Sequence, residues 1–140
     1  MKISKFLLFF LFLGTCLLVS CNKDEDEASF EDRVKGVWYV TLLEYSNCPD
    51  ADDNGSQSLP GNCDSTECLR FTFSDDGVLA VYYFEDGDSG EDPGSYSGDE
   101  DALTLCIAGD CVSGTMEFDG NKSIFVYEED GCDVTITFSR

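Results

Sequence analysis

The chain has 140 residues, with 29 Asp or Glu against eight Lys or Arg and no His, for a formal net charge of -21 at neutral pH. Nucleic acid is excluded as a natural partner, because a polyanion needs a basic face that releases its counterions. The lack of histidine removes Ser-His and Cys-His nucleophile systems, and no residue set meets the pattern of nucleophile, base and oxyanion donor, so the chain reads as non-enzymatic.

In chain order, Lys2 and Lys5 precede an apolar run from Phe6 to Val19, the charged and apolar regions of a secretory signal. The run is short of the ~20 apolar residues that span a bilayer. Leu18-Val19-Ser20-Cys21 resembles the lipobox of bacterial lipoproteins. That resemblance implies cleavage after residue 20, acylation of Cys21 (palmitate among the chains) and stable anchoring, since two acyl chains already suffice. Asn22 to Glu27 is a lysine followed by four acids, a solvated acidic linker that also resembles the export signal of Bacteroidetes-type lipoproteins. The expected location is the outer membrane, facing the cell surface, with the periplasmic face as the alternative. Loss of residues 1–20 removes two basic residues and no acidic one, so the mature chain is more acidic still. The expected organisation is a signal peptide over 1–20, a lipidated cysteine and acidic linker over 21–33, and one β-domain over 34–140.

Ser29 to Lys35 suits a short helical turn, with Ser29 as N-cap and Glu31 and Asp32 favouring its start. From residue 36 the chain is a series of short apolar and β-branched runs between turn residues, with no helical periodicity. Eight strands are predicted: Val37 to Tyr45, Leu69 to Phe73, Val78 to Phe84, Gly94 to Ser97, Ala102 to Ile107, Val112 to Phe118, Ser123 to Tyr127 and Val134 to Ser139. The turns between them carry Asp-Gly, Gly-Asp and Gly-Asn, which tolerate positive φ, so neighbouring strands should pair antiparallel. Ser46 to Glu67 and Glu85 to Pro93 are predicted as long exposed loops, where binding function tends to reside.

Setting aside Cys16 and Cys21 leaves Cys48, Cys63, Cys68, Cys106, Cys111 and Cys132, an even number that in an exported chain reads as three disulfides. A zinc site would want histidines or CxxC pairs, and the chain has neither. If the eight strands alternate up and down, all six cysteines fall at or beside the end opposite the N-terminal linker. With Leu103, Leu105 and Ile107 inward, Cys106 and Cys111 face outward on adjacent strands and form the preferred pair. The other four allow three pairings.

Gly36-Val37-Trp38, Phe71-Thr72-Phe73-Ser74-Asp75-Asp76-Gly77, Gly94-Ser95-Tyr96, Leu103-Thr104-Leu105 and Thr135-Ile136-Thr137-Phe138-Ser139-Arg140, in that order, resemble the lipocalin-like domains of Bacteroidetes lipoproteins. The resemblance covers residues 34–140. It implies an all-β, eight-stranded up-and-down antiparallel meander, a lipocalin-like (calycin) barrel of the size that holds side chains or one small ligand. It also implies that Trp38 closes the barrel floor and that Arg140 packs over it. The chain departs from the family in stopping at Arg140 without a flanking helix and in its short fourth strand, which leaves a partly open barrel as an option.

Asp50-Ala51-Asp52-Asp53-Asn54-Gly55 fits the start of a calcium loop, with Asp50, Asp52 and Asn54 as the candidate ligands. The glutamate expected at the twelfth position is replaced by Gly61, and the same residues also make an ordinary acidic loop. Trp38, Phe71, Phe73, Phe118, Phe125 and Phe138 are expected in the core. Of the successive aromatics Tyr82, Tyr83 and Phe84, at least one must face outward. The expected function is non-catalytic binding of a small hydrophobic molecule, or of a protein or glycan surface, at the stapled rim. The alternative is an accessory subunit that docks another outer-membrane protein. The charge disfavours an anionic ligand.

Overall fold

The computed structural model describes residues 28–64 and 67–140. A single turn of helix, α1 (Phe30–Val34), leads into nine antiparallel strands: β1 (Gly36–Ser46), β2 (Gly55–Ser58), β3 (Cys68–Phe73), β4 (Val78–Glu85), β5 (Asp88–Ser97), β6 (Leu103–Ile107), β7 (Asp110–Asp119), β8 (Lys122–Glu129) and β9 (Cys132–Ser139). From β3 onward each strand pairs with the next, and β9 returns to β1, with Tyr39 opposite Ser139 and Ser46 opposite Asp133. The result is a closed eight-stranded up-and-down barrel, not the partly open one that the short fourth strand would allow. Closure leaves the eight strands without a free edge.

β2 is the ninth strand, an addition to the barrel. Strand β1 is long enough to pair with β3 through Gly36 to Tyr39 and, further along the same edge, with β2 through Leu42 to Tyr45. No strand is expected there from sequence, because Gly55-Ser56-Gln57-Ser58 has no apolar alternation and all four residues are exposed. Residues 85–93 also differ from the expected long loop. This segment is a hairpin, not a loop: β4 and β5 stay paired from Val78 opposite Ser95 to Glu85 opposite Asp88, across the two-residue turn Asp86-Gly87. Both turn residues have positive φ (52° and 90°), the type I′ pattern whose twist suits paired strands. Pro93 is tolerated inside β5 because its carbonyl accepts from Ala108 N at 3.3 Å, which turns its missing N–H toward the β6–β7 turn and away from the β4 ladder.

Strand parity assigns the interior. Opposed residues of an antiparallel pair share a face, so the row through Trp38, Phe71, Val81, Asp92 and the row through Phe73, Leu79, Gly94, Ile107 both point inward. The end of the barrel nearer α1 is filled: Trp38, Val34, Leu103, Phe125 and Phe138 have no solvent-accessible surface, and Phe73, Leu79 and Met116 have at most 2%. A void large enough for water would leave accessible area on these side chains, so no such void opens onto them. A register shift between Val40 and Leu42 marks a bulge in β1, and there Thr41 Oγ1 donates to Thr137 O across the seam at 3.1 Å.

Candidate functional site

The floor is built from the N-terminal segment. Ser29 Oγ accepts from Asp32 N at 3.3 Å and caps α1, whose first turn carries Glu31 and Asp32 where the helix dipole favours them. The cap fixes the turn so that Val34 is fully buried and Phe30 meets Phe118 edge-on, with ring centroids 6.0 Å apart. Trp38 Nε1 donates to Val34 O at 2.7 Å, which satisfies the one polar atom of a fully buried indole. The Arg140 guanidinium lies 3.8 Å above that ring and donates to Arg33 O. Arg33 in turn pairs with Glu100 and stacks on Phe118 at 5.0 Å. Trp38 and Arg140 are thus in direct contact, and α1 is latched over the floor by two arginines. Burial lowers the Arg140 pKa from its ordinary value.

At the opposite end the interior rows are incompletely covered. Leu43, Leu69, Ile107, Val112 and Tyr127 are half-buried, each packed against the core from above. Tyr83, opposite Leu69, leans into the same mouth with 40% of its surface exposed, over the inward position Gly90 where a β-carbon would collide with its ring. Tyr82 and Phe84 stand on the outer wall. There Arg70 lies over the Tyr82 ring at 4.7 Å and reaches Glu91 at 3.8 Å. Burial, and after it the Glu129 carboxylate, push the Tyr127 phenol up to about 12. An open cleft of about 310 Å³ beside it is lined by Tyr45, Asp53, Glu129, Asp130 and Cys132.

Three disulfides hold this end. Cys106 and Cys111 are register partners on the outward face of β6 and β7, with Cα atoms 4.0 Å apart. Cys63 bridges to Cys68, the first residue of β3, and Cys48 and Cys132 join the segment after β1 to the start of β9. The last of these laces the barrel's closing seam at the rim. The pairing of these four cysteines was open in the sequence because it depends on the course of the chain between β1 and β3, which local pattern does not fix.

Of the calcium candidates, Asp50 Oδ1 accepts from Asp52 N at 3.0 Å, and Asn54 Oδ1 accepts from Cys48 N at 3.1 Å. Both side chains therefore turn back onto their own loop, as cap and staple of the short 3₁₀ turn Ala51–Asp53. Among the described residues no three Asp, Glu or Cys side chains converge on a point that would hold a metal ion. Cys21, the expected lipidation site, lies outside the described residues.

Sequence reasoning placed binding at the stapled rim but did not pick out the half-covered apolar residues that line it. Its residues alternate with outward ones like any core position, and only strand register separates a covered position from an uncovered one. The chain matches no protein-family model, no curated protein and no solved structure at a significant level. The class of its barrel is plain: small, closed, up-and-down and disulfide-stapled, with a filled floor and half-covered apolar residues at the opposite end.

Proposed function

We propose that this is a lipocalin-like lipoprotein, anchored through Cys21 to the outer membrane and displayed at the cell surface, that acts as a non-catalytic binding module at the barrel mouth. The observation that carries the reading is the set Leu43, Leu69, Tyr83, Ile107, Val112 and Tyr127, incompletely covered apolar side chains on the inward rows at the open end of the barrel of a strongly acidic chain. Concave, mostly apolar surfaces with a few polar groups are where small ligands bind. The filled floor limits an occupant to the upper barrel, so the ligand is a small hydrophobic molecule that enters the rim and is not engulfed.

The test uses the chain from Asn22 onward, which contains α1, the whole barrel and all three bridges, secreted through an oxidising compartment. Native mass spectrometry before and after solvent extraction and chelation weighs a co-purified apolar ligand and a calcium ion separately. Titration with the neutral fluorophore N-phenyl-1-naphthylamine should then show one saturable site, lost in Val112→Asp and kept in Val37→Asp, whose side chain is on the outer wall. Equal binding by both variants, or none by the parent, would refute mouth binding. Anchoring is tested apart from this, by loss of palmitate labelling in full-length Cys21→Ser.

The filled lower interior also suits the second reading, an accessory subunit that receives the tip of another outer-membrane protein in a shallow mouth. Absence of any small-molecule site, together with a partner whose cross-links map to the rim, would favour it.

A further inference from the structure

We infer that the mouth selects an amphipathic cation, a molecule with an apolar body carrying a protonated amine or quaternary ammonium. The inference rests on mouth binding as proposed above and adds the sign of the ligand. It follows from where the charges stand. Arg33, Lys35 and Arg140 sit at the floor, where Lys35 pairs with Asp75 at 2.6 Å, and Lys122 begins β8 beside the floor turn. Arg70 is on the outer wall, engaged with Tyr82 and Glu91. These are all the basic residues among those described, so no described cation reaches the mouth.

The acids are placed otherwise. Asp92 is opposite Val81, a core residue, so its carboxylate faces into the barrel, and the residue is half-buried. No described hydrogen bond or ion pair engages that carboxylate. Asp110 is opposite the mouth residue Ile107, and Glu129 stands beside Tyr127 and opposite Cys132. Tyr45 lines the open cleft with Asp53, Glu129 and Asp130, Tyr83 and Tyr127 stand on inward rows at the same end of the barrel, and ring faces attract ammonium groups as carboxylates do. An apolar tail against Leu43, Leu69, Ile107 and Val112 would leave a positive head among Asp92, Glu129 and the tyrosines. An anionic head would meet carboxylates with no described cation to offset them, and partial burial strengthens both effects.

Three probes with one tail isolate the sign: dodecyltrimethylammonium, dodecyl maltoside and dodecyl sulfate, each below its micellar concentration, titrated calorimetrically into the chain from Asn22 onward. The ammonium should bind at one site about tenfold or more tighter than the maltoside at 0.01 M salt. The gap should narrow toward parity at 1 M, where the screening length falls from about 30 Å to about 3 Å. The sulfate should bind most weakly, and tetramethylammonium, a head without a tail, should not bind measurably. Asp92→Asn, close to isosteric, should cut the ammonium's advantage severalfold and leave maltoside affinity in place. Asp75→Asn at the floor should change neither. Equal affinities for ammonium and maltoside, or an advantage untouched by Asp92→Asn, would overturn the charge selection while leaving mouth binding intact. No binding by any of the three would overturn both.

Discussion

Consider the removal of each disulfide by paired substitution to alanine. Cys48 and Cys132 are separated by 84 residues, whereas Cys63–Cys68 and Cys106–Cys111 each span only 5. In the chain-entropy account a bridge stabilises by restricting the unfolded chain, with an entropy of about 2.1 + 1.5R ln n cal/mol/K for a loop of n residues. That gives about 4.6 kcal/mol for the seam bridge and about 2 kcal/mol for either short one at 25 °C. At roughly 4 °C per kcal/mol for a domain of this size, Cys48→Ala/Cys132→Ala should melt about 18 °C lower than the parent, and Cys106→Ala/Cys111→Ala about 8 °C lower. Thermal unfolding followed by circular dichroism at 218 nm, with urea titrations for the free energies, measures both. An equal or larger loss from the Cys106–Cys111 pair would refute the reasoning, since native contacts at the rim, not loop length, would then set the ranking.

Other expectations follow from single residues. Arg140→Ala removes the cation over Trp38 and the donor to Arg33 O, and should cost about 1–2 kcal/mol in urea unfolding, with a red shift of Trp38 emission as the floor loosens. Gly114→Ala drives a β-carbon into the Val126 carbonyl of the neighbouring strand, and by forcing β7 from β8 should cost about 1–3 kcal/mol. A spectrophotometric titration at 295 nm should show a tyrosine step near 12 that disappears in Tyr127→Phe. Because the folded pKa lies above that of a free tyrosine, about 10, the neutral phenol's contribution is intact below pH ~10. It is lost as pH rises toward 12, so Tyr127→Phe should flatten the fall in stability across that window.

Much of the barrel was legible because its local signals agree with one another. Ala108-Gly109 and Asp130-Gly131 each place two residues at positive φ between paired strands, and the Val134, Ile136, Phe138 alternation gives the inward face of β9. Ser29, Glu31 and Asp32 mark the floor helix by capping and charge. What stayed hidden depends on long-range pairing. β2 exists because β1 outruns β3 and offers Leu42 to Tyr45 an unoccupied edge, a fact no window around Gly55 contains. The inner half of β5 looked like a loop because Gly90, Asp92 and Pro93 are poor strand formers, and the β4 ladder overrides them. Which inward residues stay half-covered at the rim was hidden for the same reason: Ile107 and Leu105 are chemically alike, and only their height in the closed barrel makes one half-covered and the other buried.

The placement of the Cys48–Cys132 bridge has a mechanical side. The chain enters β1 at the floor, and the bridge joins the far end of β1 to the start of β9, so strand and bridge run the height of the barrel on its closing seam. A protein held from its N-terminal side and loaded at the mouth carries that force along the strand axes. The β1–β9 hydrogen bonds then resist together in shear, and do not open one after another as in a zipper. The covalent link at the top passes the load from β1 directly into β9, so a tug on the rim is borne by two strands in parallel before any core residue is exposed.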